Sequence, residues 1–302
     1  MRAWVGVTDR DWFEFLRAQP ALDEVNFWQP SARRPFGAIQ PGELFLFKLR
    51  YPWHAIVGGG MLAWSGTFPY PYVWELFEER NGAASLGEMR ARIARLRRGP
   101  LDPGAADVGC IVLVQPFFLD EEDWIEAPPD WSKNIVQGKT YDLASFYGQR
   151  LLEEVETKAR STTARRIEGP MWGDPALVRG RLGQGAFRTL VTEAYQRRCA
   201  VTGERALPVL QASHIRPVTD GGEHRVDNGL LLRSDVHTLF DRGWVTITQD
   251  SRFRVSRRLR EDFHNGEAYY ALEGRELWLP RDAADRPSRA FLEWHNDVAF
   301  LP

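Results

Sequence analysis

The chain has 302 residues, 43% apolar and 26% charged, a composition suited to a soluble globular protein of one large or two ordinary domains. Its net charge of −2 gives no chain-wide pull toward nucleic acid or an anionic membrane, and no apolar run approaches the ~18 residues of a membrane span. The opening MRAWVGVTDRDW lacks the apolar stretch and small-residue cleavage site of a secretory signal, so an intracellular, cytoplasmic protein is expected. The two cysteines, Cys110 and Cys199, form no CxxC pair, since position 202 is Thr; a zinc ribbon and a disulfide framework are both unsupported.

Residues 1–141 hold eight of the twelve tryptophans. Trp4–Val7 predicts a short strand, followed by a helix capped by Thr8 or Asp9 that runs through Trp12, Phe13 and Leu16 to a stop at Pro20. Asn26–Ser31 (NFWQPS) is a polar-aromatic loop, Glu43–Leu49 a strong strand, and Ala55–Ala63 a strand interrupted by glycines. Helices are expected over Val73–Arg80 and Leu86–Arg97, and a buried strand over Asp107–Gln115. Trp124–Tyr141 is a polar loop with donors at Lys133, Asn134, Gln137 and Lys139.

This order of Trp-strand, helix, FWQPS, GELFLFKL and IVGGG resembles the PUA-like superfamily, which includes the EVE, YTH and ASCH domains. The resemblance implies a small open β-barrel with helices, and in some members an aromatic pocket for a nucleobase. Trp12, Phe27, Trp28, Trp53 and Trp64 are the candidate walls, with Asn26 and Ser31 as readers of the base edge.

A helix is expected from Asp142, capped by its own side chain, with Leu143, Phe146 or Tyr147, Leu151, Val155 and Ala159 on one face. Residues 142–175 are assigned as helix and linker, the linker lying at Glu168–Pro175 with its two prolines and two glycines. Between 158 and 198 nine basic residues face three acidic ones, an excess that could meet phosphates or simply face solvent.

Residues 176–302 form the second expected domain. Phe187, Leu190, Val191, Ala194 and Tyr195 recur at helical spacing. Val209–Ile215 predicts a strand, Asp220-Gly-Gly222 a turn, and Leu230–Leu232 a second strand. Ser234 would cap a helix with His237 in its first turn and Asp241 one turn later, on the same face. A hairpin is expected over Trp244–Thr248 and Phe253–Ser256, strands over Ala268–Leu272 and Glu276–Leu279, and a last helix over Arg289–Phe300.

The sequence of Cys199-x-x-Thr-Gly, Ala-Ser-His-Ile, Gly-Gly, Asn-Gly-Leu-Leu-Leu and His-x-x-Phe-Asp resembles the HNH endonuclease family, in its putative restriction endonuclease branch, over about residues 183–297. The resemblance implies a ββα fold around one divalent ion, Mg²⁺ or Mn²⁺; no structural zinc is expected, because Cys199 stands alone. A histidine suits a general base at neutral pH and a divalent ion suits a phosphodiester. By position in the motif, His214 would be the base, Asn228 would bond the backbone across the loop and orient His214, and His237 would hold the metal. Many members carry Asp before the base; here the residue is Ser213, so Asp241, or failing it Asp235, is the candidate second ligand. Arg216 and Arg233 are candidates for the phosphate, whereas His54, His224 and His264 read as surface residues and His295 as packing.

The expectation is therefore an α+β protein with an N-terminal PUA-like domain and a C-terminal HNH nuclease domain. Its substrate would be double-stranded DNA carrying a modified cytosine that is flipped and read, as in modification-dependent restriction of phage DNA by bacteria. A homodimer is expected because one such site cuts one strand. The alternatives are a nuclease for unmodified DNA, a nuclease for RNA, and a nucleic-acid-binding module whose catalysis is crippled by Ser213.

Overall fold

The computed structural model describes residues 1–31, 36–98, 107–132, 134–163 and 182–302. The expected linker 168–175, Lys133, and four of the nine basic residues counted above (Arg165, Arg166, Arg179, Arg181) lie outside the described residues. The chain divides into two compact units, Met1–Ala186 and Phe187–Pro302. Both units mix helices with strands that pair antiparallel in all but one case, which bears out the α+β class. No helix among the described residues is long and apolar enough to cross a membrane.

The first unit is built on a seven-stranded sheet. In chain order its strands are β1 (Arg2–Thr8), β2 (Glu24–Asn26), β3 (Leu44–Leu49), β4 (Ala55–Pro69), β5 (Asp107–Phe118), β6 (Ile125–Glu126) and β7 (Gly138–Asp142). Their spatial order is β2-β5-β4-β3-β1-β7, with β6 on β4. β1 and β3 run parallel, which needs the crossover that the helix Arg10–Arg17 supplies. Every other pairing is antiparallel, and β2 and β7 end the sheet, which is open. Trp12, Phe13 and Leu16 bury one face of the helix on Val25, Phe45, Phe47, Val57 and Leu113. This aromatic core explains the concentration of ring residues in this half: each ring buries a large apolar area, and edge-on packing such as Trp12 on Phe47 (5.0 Å, 73°) adds to it.

Several expected boundaries move. The glycines of β4 do not interrupt it, because they permit close approach: a Cβ on Gly58 would stand 2.3 Å from the Phe117 carbonyl oxygen of β5. The helix expected at Val73–Arg80 is Tyr70–Phe77, opened by Pro71 in its first turn and ended at Glu78, whose φ is 44°. Gly138–Asp142, read as loop, is a strand paired with β1. The following helix accordingly starts at Phe146, not Asp142, and the Ser145 hydroxyl accepts from the Gly148 amide as its cap. Its buried face is Leu151, Val155 and Ala159, while Phe146 is exposed.

The second unit packs Phe187 and Val191 of the helix Gln184–Ala194, with Tyr195 just past its end, against two hairpins. The first joins β8 (Leu210–His214) to β9 (Gly229–Arg233); the second joins β10 (Val245–Ile247) to β11 (Phe253–Val255). Residues 268–272 and 276–279 are not strands. Glu267–Tyr270 is a short helix, and Glu276 makes an isolated bridge to Arg252. The β propensity of Tyr269-Tyr270 is overridden because the Tyr270 hydroxyl bonds the Ser256 carbonyl at 2.8 Å. The last helix, Arg289–Trp294, continues as a π-turn over His295–Ala299.

Candidate active site

The β8–β9 hairpin sets His214 opposite Gly229 and Ser213 opposite Leu230. Leu230, Leu231 and Leu232 are all fully buried, so β9 is anchored on both faces. The loop between the strands must fold back over the hairpin end. Gly221 takes φ 83°, and a Cβ on Gly222 would lie 1.9 Å from the Arg216 carbonyl oxygen, so the Gly-Gly pair is a steric requirement. Asn228 closes the loop. Its side-chain oxygen accepts from the Arg216 amide, and its nitrogen donates to the Arg216 and Glu223 carbonyls, all at 2.9 Å. It is fully buried and bonds across the loop through backbone groups. Its link to His214 runs through the strand, since its own carbonyl accepts from the Ile215 amide at 2.9 Å.

The helix Ser234–Asp241 follows β9 directly. Ser234 is its first helical residue, not its cap; Arg233 occupies the cap position and no side chain caps the end. The expected spacing still brings His237 and Asp241 together, with Nε2 and Oδ2 3.1 Å apart. Two further contacts orient the pair. His237 Nδ1 lies 2.6 Å from Gln211 Oε1, and the Ser213 hydroxyl donates to Asp241 Oδ1 at 3.2 Å. An amide oxygen can only accept, so Gln211 places a proton on Nδ1 of His237 and turns Nε2 toward Asp241.

His214 is half-buried, with its ring stacked on Phe187 (3.9 Å between centroids, 10°). Its Nε2 is 3.0 Å from Nδ1 of His224. Burial, aided by the nearby His224, His237 and Arg188 and opposed by Asp241, pushes its pKa down from 6.5 to about 4. The imidazole is thus neutral at physiological pH and able to accept a proton.

Of the other residues expected here, Arg233 is engaged by Asp235 through Nε at 2.7 Å and Nη2 at 2.8 Å, which ties up the fork meant for phosphate. Asp235 also accepts from the Tyr269 hydroxyl and is spent on this cluster. Arg216 donates from Nε to the Asp220 carbonyl. His295 is buried, stacked on Phe240 and bonded to Thr246. His224 is not a loose surface residue, and Gln211 and Arg188 belong to the site too. Gln211 could have been found two positions before Ser213 on the same strand face; the roles of His224 and Arg188 depend on contacts between elements. Cys199 is buried, and its sulfur accepts from the Thr202 and Arg233 amides.

Residues 199–248 match the HNH endonuclease family, a span that contains β8, β9 and the helix carrying His237. The second unit carries an HNH endonuclease domain. The activity of this domain is hydrolysis of phosphodiester bonds, and the chain is a nuclease. No curated protein matches the chain. Among solved structures it is similar to an ASCH protein from Zymomonas mobilis (10% identity, 50% of this chain and 94% of that one, TM-score 0.35). It is also similar to a structure described as a modification-dependent TagI restriction endonuclease (14% identity, 92% of this chain and 76% of that one, TM-score 0.27). Likenesses this slight decide nothing about activity.

The first unit has a cavity of about 250 Å³ beside the helix Arg10–Arg17. Of the seven candidate pocket residues, Trp12, Phe27, Trp28 and Ser31 line it. The Trp12 and Trp28 indoles both donate to the Asn81 carbonyl, at 3.1 and 2.9 Å, which fixes their planes. Asn26, Trp53 and Trp64 do not line it. Asn26 is buried and bonded to Asn81 and the Ile111 amide. Trp53 is exposed beneath the Arg10 guanidinium, and Trp64 packs on Phe68. The polar wall comes instead from Asp9, Asp11, Gln29, Arg50, Arg92, Arg95 and Gln137.

Proposed function

We propose that the protein is a divalent-metal-dependent DNA endonuclease that cuts DNA bearing a modified cytosine. The observation that carries the nuclease half is the juxtaposition of a neutral His214 with the His237–Asp241 pair on one hairpin-and-helix unit. The pair fits a metal ion: two atoms bound side by side at about 2.1 Å from one ion stand about 3 Å apart, close to the 3.1 Å between Nε2 and Oδ2. One imidazole and one carboxylate match the sparse protein ligation of ions that also take water and substrate phosphate. Among the described residues no group of three His, Cys, Asp or Glu could hold a metal, so the proposal rests on two ligands. Ser213, where many relatives have Asp, points its hydroxyl at Asp241 and holds the replacement carboxylate. A bound ion would supply Lewis acidity at the scissile phosphate and charge for the leaving oxygen. His214 takes the proton of the attacking water, Gln211 holds His237 in the ligating tautomer, and Asn228 keeps the loop closed over the hairpin end.

The cavity in the first unit supports the second half of the reading. Its Trp and Phe walls offer stacking faces for an extruded base, and its polar wall offers donors and acceptors for the base edge and a substituent. Double-strand cleavage would call for two copies of the site, hence a homodimer acting inside the cell. Digestion of matched duplexes carrying unmodified, methylated, hydroxymethylated or glucosylated cytosine, with Mg²⁺ or Mn²⁺, tests both halves. Cleavage of modified duplexes only is the expected result. Equal cutting of all four removes the modified-base reading and leaves the nuclease, and cutting that proceeds equally without Mg²⁺ or Mn²⁺ removes the metal dependence.

A further inference from the structure

We infer that His224 is a positioning residue for the nuclease: it accepts the Nε2–H of His214 and so leaves Nδ1 of His214 as the basic nitrogen. The inference rests on His214 being the base.

Two imidazoles with Nε2 and Nδ1 3.0 Å apart make a hydrogen bond only if one donates and the other accepts. His214 is neutral and carries one ring proton. If that proton were on Nδ1, Nε2 would accept from His224, and neither nitrogen of His214 would have a free lone pair for water. If it is on Nε2, the bond to His224 is made and Nδ1 is bare. In either case Nε2 is occupied, so Nδ1 is the nitrogen left for chemistry, and the second tautomer makes it basic.

The ring has little other freedom. Phe187 covers one face at 3.9 Å, and the His224 ring meets the His214 ring at 57° with centroids 5.0 Å apart. His224 is itself placed by the loop that Gly222 and Asn228 fold back over the hairpin: Asn228 bonds the carbonyl of Glu223, the residue just before it. The Gly-Gly turn, Asn228 and His224 thus act as one device that presents an acceptor to the base. When His214 takes the water proton on Nδ1, its Nε2–H becomes the donor of an imidazolium, and the bond to His224 strengthens as charge develops. A neutral acceptor does this without adding a second negative charge beside Asp241 or the incoming phosphate.

The test uses the full chain. His224→Phe keeps a ring and removes the acceptor; His224→Asn puts a side-chain oxygen close to where Nδ1 stands. Single-turnover cleavage of a cleavable duplex should fall about 10- to 100-fold in His224→Phe, the usual cost of losing a histidine's outer hydrogen-bond partner, and recover most of this in His224→Asn. DNA affinity measured without metal should not change in either variant. In ¹⁵N-histidine spectra of the wild type, His214 should show the Nε2–H tautomer, and His224→Phe should show a mixture. Wild-type cleavage by His224→Phe, equal loss in both variants, or an Nδ1–H tautomer at His214 overturns the inference. If His214→Ala cuts normally, it is the assignment of the base that has failed.

Discussion

Asn228 offers the sharpest test of how the nuclease site is held. Its amide makes three bonds of 2.9 Å in a fully buried position: one accepted from the Arg216 amide and two donated to the Arg216 and Glu223 carbonyls. Each such bond contributes about 1 kcal/mol net, and Asn228→Ala strands three backbone groups, so a loss of about 3 kcal/mol is expected. Because the loss falls on one loop, it should appear locally: amide exchange in peptides spanning residues 210–233 should speed up on the order of 100-fold, with the first unit unaffected. Asn228→Asp is the more discriminating change. Its ionised carboxylate keeps the bond from Arg216 but turns an oxygen on two carbonyls that need donors. The folded state therefore favours the protonated acid, and the variant's pKa is raised above the ordinary carboxylate value. A raised pKa makes the deficit largest above the folded-state value and relieves it as the pH falls toward ~4. Exchange protection of Asn228→Asp relative to wild type should accordingly be worst at neutral pH and improve on acidification. Unchanged protection in Asn228→Ala, or a deficit in Asn228→Asp that ignores pH, would refute this account of the loop.

Asp241→Asn should raise the Mg²⁺ concentration for half-maximal cleavage about 10-fold or more while leaving thermal stability near wild type, because Asp241 is exposed and the change removes charge more than packing. Chelator should abolish cleavage and excess Mg²⁺ restore it; cleavage that persists in chelator would exclude the two-ligand site. Trp28→Ala should lower the preference for modified over unmodified duplex about tenfold or more, since one base–aromatic stack contributes about 1–3 kcal/mol. Competition binding with the two duplexes reads this directly, and an unchanged ratio would move the reader elsewhere. His295 is buried, with its pKa pushed down to about 4 from the ordinary 6.5. The unfolded chain takes up this proton near pH 6.5 and the folded chain does not until about 4, so the second unit should lose about 3 kcal/mol of stability as the pH falls between them. An NMR titration of His295 with its midpoint near 6.5 would contradict this.

How much of this was visible in the sequence follows from the range of the forces involved. Local pattern located β8, β9, the β10–β11 hairpin and the helices Leu86–Arg97 and Gln184–Ala194, because alternation and helical periodicity depend on near neighbours. The same logic put His237 and Asp241 on one helix face and required Gly-Gly at the turn. It failed where a partner distant in sequence decides the outcome. β7 is a strand because β1 lies beside it, Glu267–Tyr270 is a helix because Tyr270 reaches Ser256, and Asp241 is held by Ser213 from another element.

The sequence by itself determined the chemical inventory of the site: one histidine at the end of a strand, one asparagine past a Gly-Gly turn, and a histidine and carboxylate one helical turn apart. Those spacings are enforced by backbone geometry alone. Tertiary structure decided which groups meet. It brought Ser213 to Asp241, Gln211 to His237, and Phe187 and His224 to His214. It also took four of the seven candidate residues as walls for the N-terminal cavity and sent Asn26, Trp53 and Trp64 to other work. Hydrogen-bond direction and desolvation, which fix a tautomer and a pKa, act over a few ångströms between elements, and sequence spacing carries no record of them.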